Sequence, residues 1–211
     1  MKIFYLISVL YFLNGFLQAE TKSDKKTILC LGDSLTAGYG LKEEFAFPSL
    51  LQEKLGEKIT VLNAGVSGNT SAGGLRRINW YFNRKIDIMV LALGANDGLR
   101  GLPVESTREN LQKIIDEARK KNPQVKIILA GMKVPPNMGS EYGEKFEKLF
   151  PELAKKNDLP LIPFLLEGVA GMKKFNLPDG IHPNNEGQKL VAENVMKVLS
   201  NVLNSLKKPE K

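Results

Sequence analysis

Short apolar runs alternate with segments of helical periodicity along most of this chain. Residues 27–31 (Thr-Ile-Leu-Cys-Leu) have almost no polar side, the pattern of a strand covered on both faces. Comparable runs at 59–63, 86–93, 126–130 and 159–164 are predicted to be strands as well, that at 86–93 being the most apolar. Between them, 48–55 reads as a helix with Pro48 at its start, where a missing N–H leaves no bond unmade. Helical spacing also covers 71–79, 105–121 (stopping before Asn122-Pro123), 141–157 and the long amphipathic stretch 184–203. Pro151 is expected to bend or split the helix at 141–157.

Five strands alternating with helices predict βαβ units with right-handed crossovers, hence an α/β fold whose parallel sheet is covered on both faces. Sites in such sheets form beyond the carboxyl ends of the strands. Functional residues are therefore expected just after Leu31, Asn63, Leu93, Ala130 and Phe164.

The N-terminus departs from this alternation. Lys2 precedes an apolar stretch over 3–13 broken only by Ser8, then Phe16-Leu17-Gln18-Ala19, and the composition turns charged at 20–26. That order is the one an export signal has, and the run is short for a membrane span. Residues 1–19 are read as a signal peptide, with an uncleaved anchor as the alternative because Leu17 suits the cleavage site poorly. Residues 20–26 read as a charged linker, 27–205 as one domain and 206–211 as a basic tail. The protein is accordingly expected outside the cytoplasm, periplasmic or secreted, and membrane-anchored if the signal is retained.

Composition narrows the chemistry. The 211 residues carry a formal charge of +7, but the lysines are scattered over helix faces and the tail without interleaved aromatics, so no nucleic-acid partner is expected. A weak attraction to anionic membrane surfaces remains open, and a monomer is expected. The single cysteine, Cys30, lies inside the first apolar run and cannot form an internal disulfide. No His/Cys cluster has the spacing of a zinc site, and no metal is expected.

The single histidine, His182, stands three residues after Asp179 in Asp179-Gly180-Ile181-His182-Pro183. Histidine is the side chain suited to moving protons near neutral pH, although a lone one is often only a surface residue. The other strand ends supply what a histidine base would serve. Gly32-Asp33-Ser34 places a hydroxyl at a strand-to-helix turn. Gly68 follows the second strand in a loop able to approach a ligand closely, and Asn96 follows the third with an amide that could donate. Each has an ordinary structural role open to it: a helix cap, a plain loop, a turn. Together they make the constellation of acyl transfer: Ser34 as nucleophile, His182 as base, Asp179 as its orienting carboxylate. The backbone N–H groups of Ser34 and Gly68, with the Asn96 amide, are candidates to hold an oxyanion. Asp33 and Asp97 are read as residues that fix loop geometry.

Four ordered blocks carry a resemblance. Gly32-Asp33-Ser34-Leu35-Thr36-Ala37-Gly38-Tyr39-Gly40, Asn63-Ala64-Gly65-Val66-Ser67-Gly68, Leu93-Gly94-Ala95-Asn96-Asp97-Gly98-Leu99-Arg100-Gly101 and Pro178-Asp179-Gly180-Ile181-His182-Pro183-Asn184 resemble the SGNH (GDSL) hydrolases, in their thioesterase/lysophospholipase/arylesterase branch, from about residue 27 to 203. The resemblance implies a flavodoxin-like three-layer α/β/α fold and a Ser34-His182-Asp179 triad. It also implies an oxyanion hole from Ser34, Gly68 and Asn96, and cofactor-free hydrolysis of acyl esters or thioesters. By the same resemblance, the loop bearing Leu99, Arg100, Leu102 and Pro103 borders the acyl pocket; on residue type alone, 132–138 is a second apolar loop at that edge. The branch usually has aspartate after the second-block glycine; this chain has Asn69. Two other readings compete. One is a carbohydrate deacetylase on the same fold. The other is a flavodoxin-like phosphate-binding protein, for which no P-loop lysine or Gly-x-Gly-x-x-Gly turn follows a strand.

Overall fold

The computed structural model describes residues 25–206; the expected signal, the linker up to residue 24 and the tail beyond Leu206 lie outside them. Strands β1 (Lys26–Gly32), β2 (Ile59–Gly65), β3 (Ile88–Ala92), β4 (Lys126–Ala130) and β5 (Leu161–Ile162) form one parallel sheet in the order β2-β1-β3-β4-β5. That is the doubly wound, flavodoxin-like order, with its switch point between β1 and β3. The helices are α1 (Ser34–Ala37), α2 (Phe47–Leu55), α3 (Ser71–Tyr81), α4 (Ala95–Leu99), α5 (Val104–Lys121), α6 (Ser140–Asn157) and α7 (Asn185–Ser205). Helices α3, α5 and α6 pack side by side as one layer, and α2 packs on α7 in the other.

The apolar runs become strands because both faces are covered. Every residue of β3 is buried, and Ile28, Leu29, Cys30 and Leu31 of β1 have no exposed surface. Burial pushes the Cys30 thiol up to about 12, so it stays a protonated core residue.

Three sequence expectations need adjustment. The fifth strand spans two residues, not six, because Pro160 and Pro163 flank it and have no N–H for the ladder. Pro151 does not split α6, which runs unbroken from Ser140 to Asn157. It lies on the exposed side, where water can satisfy the carbonyl left without a donor, while Phe146, Leu149, Phe150 and Leu153 hold the opposite side in the core. The helix expected after the first strand is the four-residue α1, and the five-residue α4 was not foreseen, being too short for a period to show.

The strand ends are packed too tightly for side chains. Gly32 and Gly65 pair across β1 and β2, and a Cβ on either would collide with α1, on the Thr36 side chain or the Ala37 backbone. The first turn after β1 is thus pressed directly onto the sheet.

Candidate active site

The turn after β1 sets the serine. The Asp33 carboxylate accepts the Leu35 N–H (3.0 Å) and starts α1 at Ser34, and Gly38 ends the helix in the left-handed region. The Ser34 side chain is thereby held at the carboxyl edge of the sheet, largely buried.

The histidine is set by its own loop. Asp179 Oδ1 accepts the N–H groups of Ile181 (2.9 Å) and His182 (3.0 Å), and Gly180 supplies the positive φ the turn needs. The Leu177 N–H donates to the His182 carbonyl (2.7 Å). Asn184 then caps α7, accepting from Glu186 and Gly187. With the loop closed this way, Asp179 Oδ2 lies 2.8 Å from His182 Nδ1, and His182 Nε2 lies 3.0 Å from Ser34 Oγ. The Tyr39 ring lies against the imidazole, centroids 4.4 Å apart. Hydrogen bonds from the His182 and Ile181 N–H groups hold the Asp179 carboxyl down at about 2, so it is ionised near neutral pH. Gln188, one turn into α7, locks this helix to the serine segment: its amide accepts from Phe47 N (2.9 Å) and donates to the Leu35 carbonyl (3.2 Å).

The second and third strand ends lie opposite. Among the described residues, the Ser34 and Gly68 N–H groups donate to no protein acceptor. The Asn96 amide is already engaged, donating to Asn69 O (3.1 Å) and Asp33 Oδ2 (3.3 Å). Asp97 is buried and accepts from Ser71 N (2.7 Å), Ser71 Oγ and Thr107 Oγ1, tying the third loop to α3 and α5.

A cleft of about 650 Å³ opens at Ser34, Asn96 and His182. Leu99 lines it, as do Val134 and Pro135 of the second apolar loop, with Phe164 and Ile181. Arg100, Leu102 and Pro103 do not. The turn after α4 carries them away: Arg100 donates to the Gly68 carbonyl (3.0 Å), Leu102 O accepts from the Tyr142 hydroxyl (2.7 Å), and Pro103 precedes α5. Sequence reading missed Arg77, Gln188 and Tyr39. Arg77 left one signal: it sits beside Gly74 and Ile78 on the face of α3 that turns to the core.

Burial pushes the Asp33 carboxyl up to about 6, against the lowering effects of the Leu35 N–H, the Asn96 amide and His182. The folded protein therefore keeps a proton on Asp33 between pH 4 and 6 that the unfolded chain, near the ordinary 3.8, has released. The stability contributed by this group falls as pH rises through that window. In Asp33→Asn nothing titrates there. The expected result is that the Tm of wild type declines relative to Asp33→Asn as pH is raised from 4 to 7, measured by thermal melts at each pH; parallel curves would contradict the burial argument.

Comparison with known proteins converges on one family. Residues 30–190 match the model of the GDSL-like lipase/acylhydrolase family. The chain is 38% identical over 179 residues to thioesterase 1/protease 1/lysophospholipase L1 of Escherichia coli, covering 84% of this chain and 85% of that one. It is 37% identical over 187 residues to an arylesterase of Vibrio mimicus, covering 87% and 92%. Among solved structures, TesA superposes with a TM-score of 0.80 at 38% identity, covering 84% of this chain and 99% of that one. The psychrotrophic esterase EstA from Pseudoalteromonas, inhibited by monoethylphosphonate, gives 0.79 at 33%, covering 85% and 99%. With its four sequence blocks brought to one sheet edge and its fold shared with these esterases, the chain belongs to the GDSL-like lipase/acylhydrolase family.

Proposed function

We propose that the protein is an exported serine hydrolase that cleaves carboxylic ester or thioester bonds of acyl substrates, with Ser34, His182 and Asp179 as its triad. The observation that carries this reading is the unbroken hydrogen-bond chain from Asp179 through His182 to Ser34, at 2.8 and 3.0 Å. His182 Nε2 takes the Ser34 proton as Oγ attacks the acyl carbon. The Ser34 and Gly68 N–H groups stabilise the oxyanion, joined by the Asn96 amide once it turns from Asp33. The protonated His182 then gives its proton to the leaving alcohol or thiol, and water, activated by the same imidazole, releases the acid from the acyl-enzyme.

An acyl chain fits the cleft better than a sugar does. Leu99, Val134, Pro135, Phe164 and Ile181 offer apolar surface, and Lys133 is the one lysine or arginine at its wall. Export rests on the N-terminal pattern of residues 1–19; N-terminal sequencing of protein recovered from cell fractions tests it. The function itself is tested by a chain-length series of p-nitrophenyl esters and acyl-CoA thioesters, with fluorophosphonate labelling of Ser34. Hydrolysis peaking on medium or long chains, with Ser34 labelled, is the expected result. A profile confined to acetyl esters would favour a deacetylase, and an unlabelled, inert protein would exclude the reading.

A further inference from the structure

The side chain that holds the oxyanion-binding loops together is a buried cation outside the substrate cleft. Arg77, in α3, is 6% exposed, and its guanidinium spends its donors on the backs of the site loops. Nη2 donates to the Gly32 carbonyl (2.7 Å), two residues before Ser34. Nη1 donates to the Ala64 carbonyl (2.8 Å) at the end of β2, and to the Tyr81 hydroxyl (3.1 Å). Nε donates to Asn69 Oδ1 (2.8 Å), the residue after Gly68. Among the described residues Arg77 forms no ion pair. Burying a charge without a carboxylate is costly, and an apolar side chain would fill the space under α3 more cheaply. The rigid fork does what an apolar group cannot: it donates at once to Gly32, Ala64 and Asn69, on three separate stretches of chain.

On the reading that this site hydrolyses acyl bonds through Ser34, we propose that Arg77 is a positioning residue that sets the spacing between the two oxyanion-binding N–H groups, Ser34 and Gly68. It fixes the Ser34 side through Gly32 and the Gly68 side through Ala64 and Asn69. Asn69 extends the clamp to the third donor, because its backbone carbonyl accepts the Asn96 amide (3.1 Å) while its own N–H donates to Val66 O (3.0 Å). Arg100 grips the Gly68 carbonyl from the solvent side (3.0 Å), so the loop is held from both directions. Arg77 does not line the cleft and touches no reacting atom. Its effect is on the transition state, where the donors must meet an oxygen that has moved out of the carbonyl plane.

The test is hydrolysis of p-nitrophenyl butyrate by wild type, Arg77→Lys and Asn69→Ala. Rates are taken per active site counted by end-point fluorophosphonate labelling, with KM and the affinity for a trifluoromethyl ketone measured alongside. Lysine keeps the charge but cannot span three acceptors. In Arg77→Lys, kcat per labelled site falls about 10- to 100-fold with KM within about twofold, and ketone affinity falls in step with kcat/KM. In Asn69→Ala, which removes one end of the clamp, the same split appears at about 3- to 10-fold. A merely structural arginine would instead lower the labelled fraction and Tm and leave kcat per site unchanged; that result overturns the proposal. Should Arg77→Lys fail to fold, Asn69→Ala decides alone, and an unchanged kcat per site overturns it. Wild type that neither hydrolyses the ester nor takes the label overturns the hydrolase reading and this inference together. Active wild type with unaffected variants overturns this inference only.

Discussion

Replacing His182 by alanine lowers kcat/KM for a p-nitrophenyl acyl ester by about 10⁴- to 10⁶-fold, and Ser34→Ala does the same. The size follows from the geometry. His182 Nε2 is the group placed at hydrogen-bond distance (3.0 Å) to take the Ser34 proton, and the chain has no second histidine to take its place. Without the base, the serine hydroxyl is a poor nucleophile near neutral pH. Without the serine, the base has only water to activate. The two residues act as one unit, so the double variant falls no further than either single one. Steady-state kinetics on variants whose circular dichroism matches wild type measure the effect. Imidazole-directed modification by diethyl pyrocarbonate gives the same loss without mutation. A folded His182→Ala variant retaining more than about a hundredth of wild-type activity would remove His182 from the mechanism.

Asp179→Asn is expected to cost about 10³- to 10⁴-fold in kcat, more than the loss of one charge at a half-exposed carboxyl would suggest. Asp179 does two jobs with two oxygens. Oδ1 accepts the Ile181 and His182 N–H groups, which asparagine can also do. The loop therefore keeps its shape, and the Tm should barely move. Oδ2 faces His182 Nδ1 at 2.8 Å, and there asparagine presents an NH₂ group. The imidazole must then accept at Nδ1 and carry its proton on Nε2, pointing a donor at Ser34 in place of a lone pair. The base is lost by choice of tautomer with the geometry intact. Kinetics combined with thermal melts check this: an unchanged Tm with collapsed kcat supports it, whereas an active variant would show that Asp179 only shapes the loop.

The sheet was legible because its strands are buried on both faces and so read as apolar runs, as 27–31 and 126–130 do. The strand ends point to Ser34, Gly68, Asn96 and His182 from sequence alone, because a parallel sheet sends all its outgoing loops to one edge. What stayed hidden was decided by contacts distant in sequence. Leu99 faces the cleft while its neighbour Arg100 turns to the Gly68 carbonyl, a choice made by the fold of α4 and not by residue type. The Asn96 amide is shared with Asp33, 63 residues away, and Gln188 reaches back to Leu35 across 153. No period or local motif records such partners. Arg77 could have been flagged as a charge on a core-facing helix position, but two of its acceptors, Gly32 O and Ala64 O, are backbone carbonyls, which every residue has.

The two halves of the proposed triad are built on different scales of chain. Asp179 and His182 meet within three positions, through a turn that closes on its own N–H groups, whereas His182 meets Ser34 across 148. Closing so wide a loop carries an entropy cost that only the assembled sheet can offset, since β1 lies inside the sheet and α7 must dock through Gln188 before the imidazole reaches the hydroxyl. A chain with its helices formed but its last helix undocked would contain the acid–base pair and lack the enzyme. Hydrolysis thus reports that this polypeptide has finished folding, which its helical content alone does not.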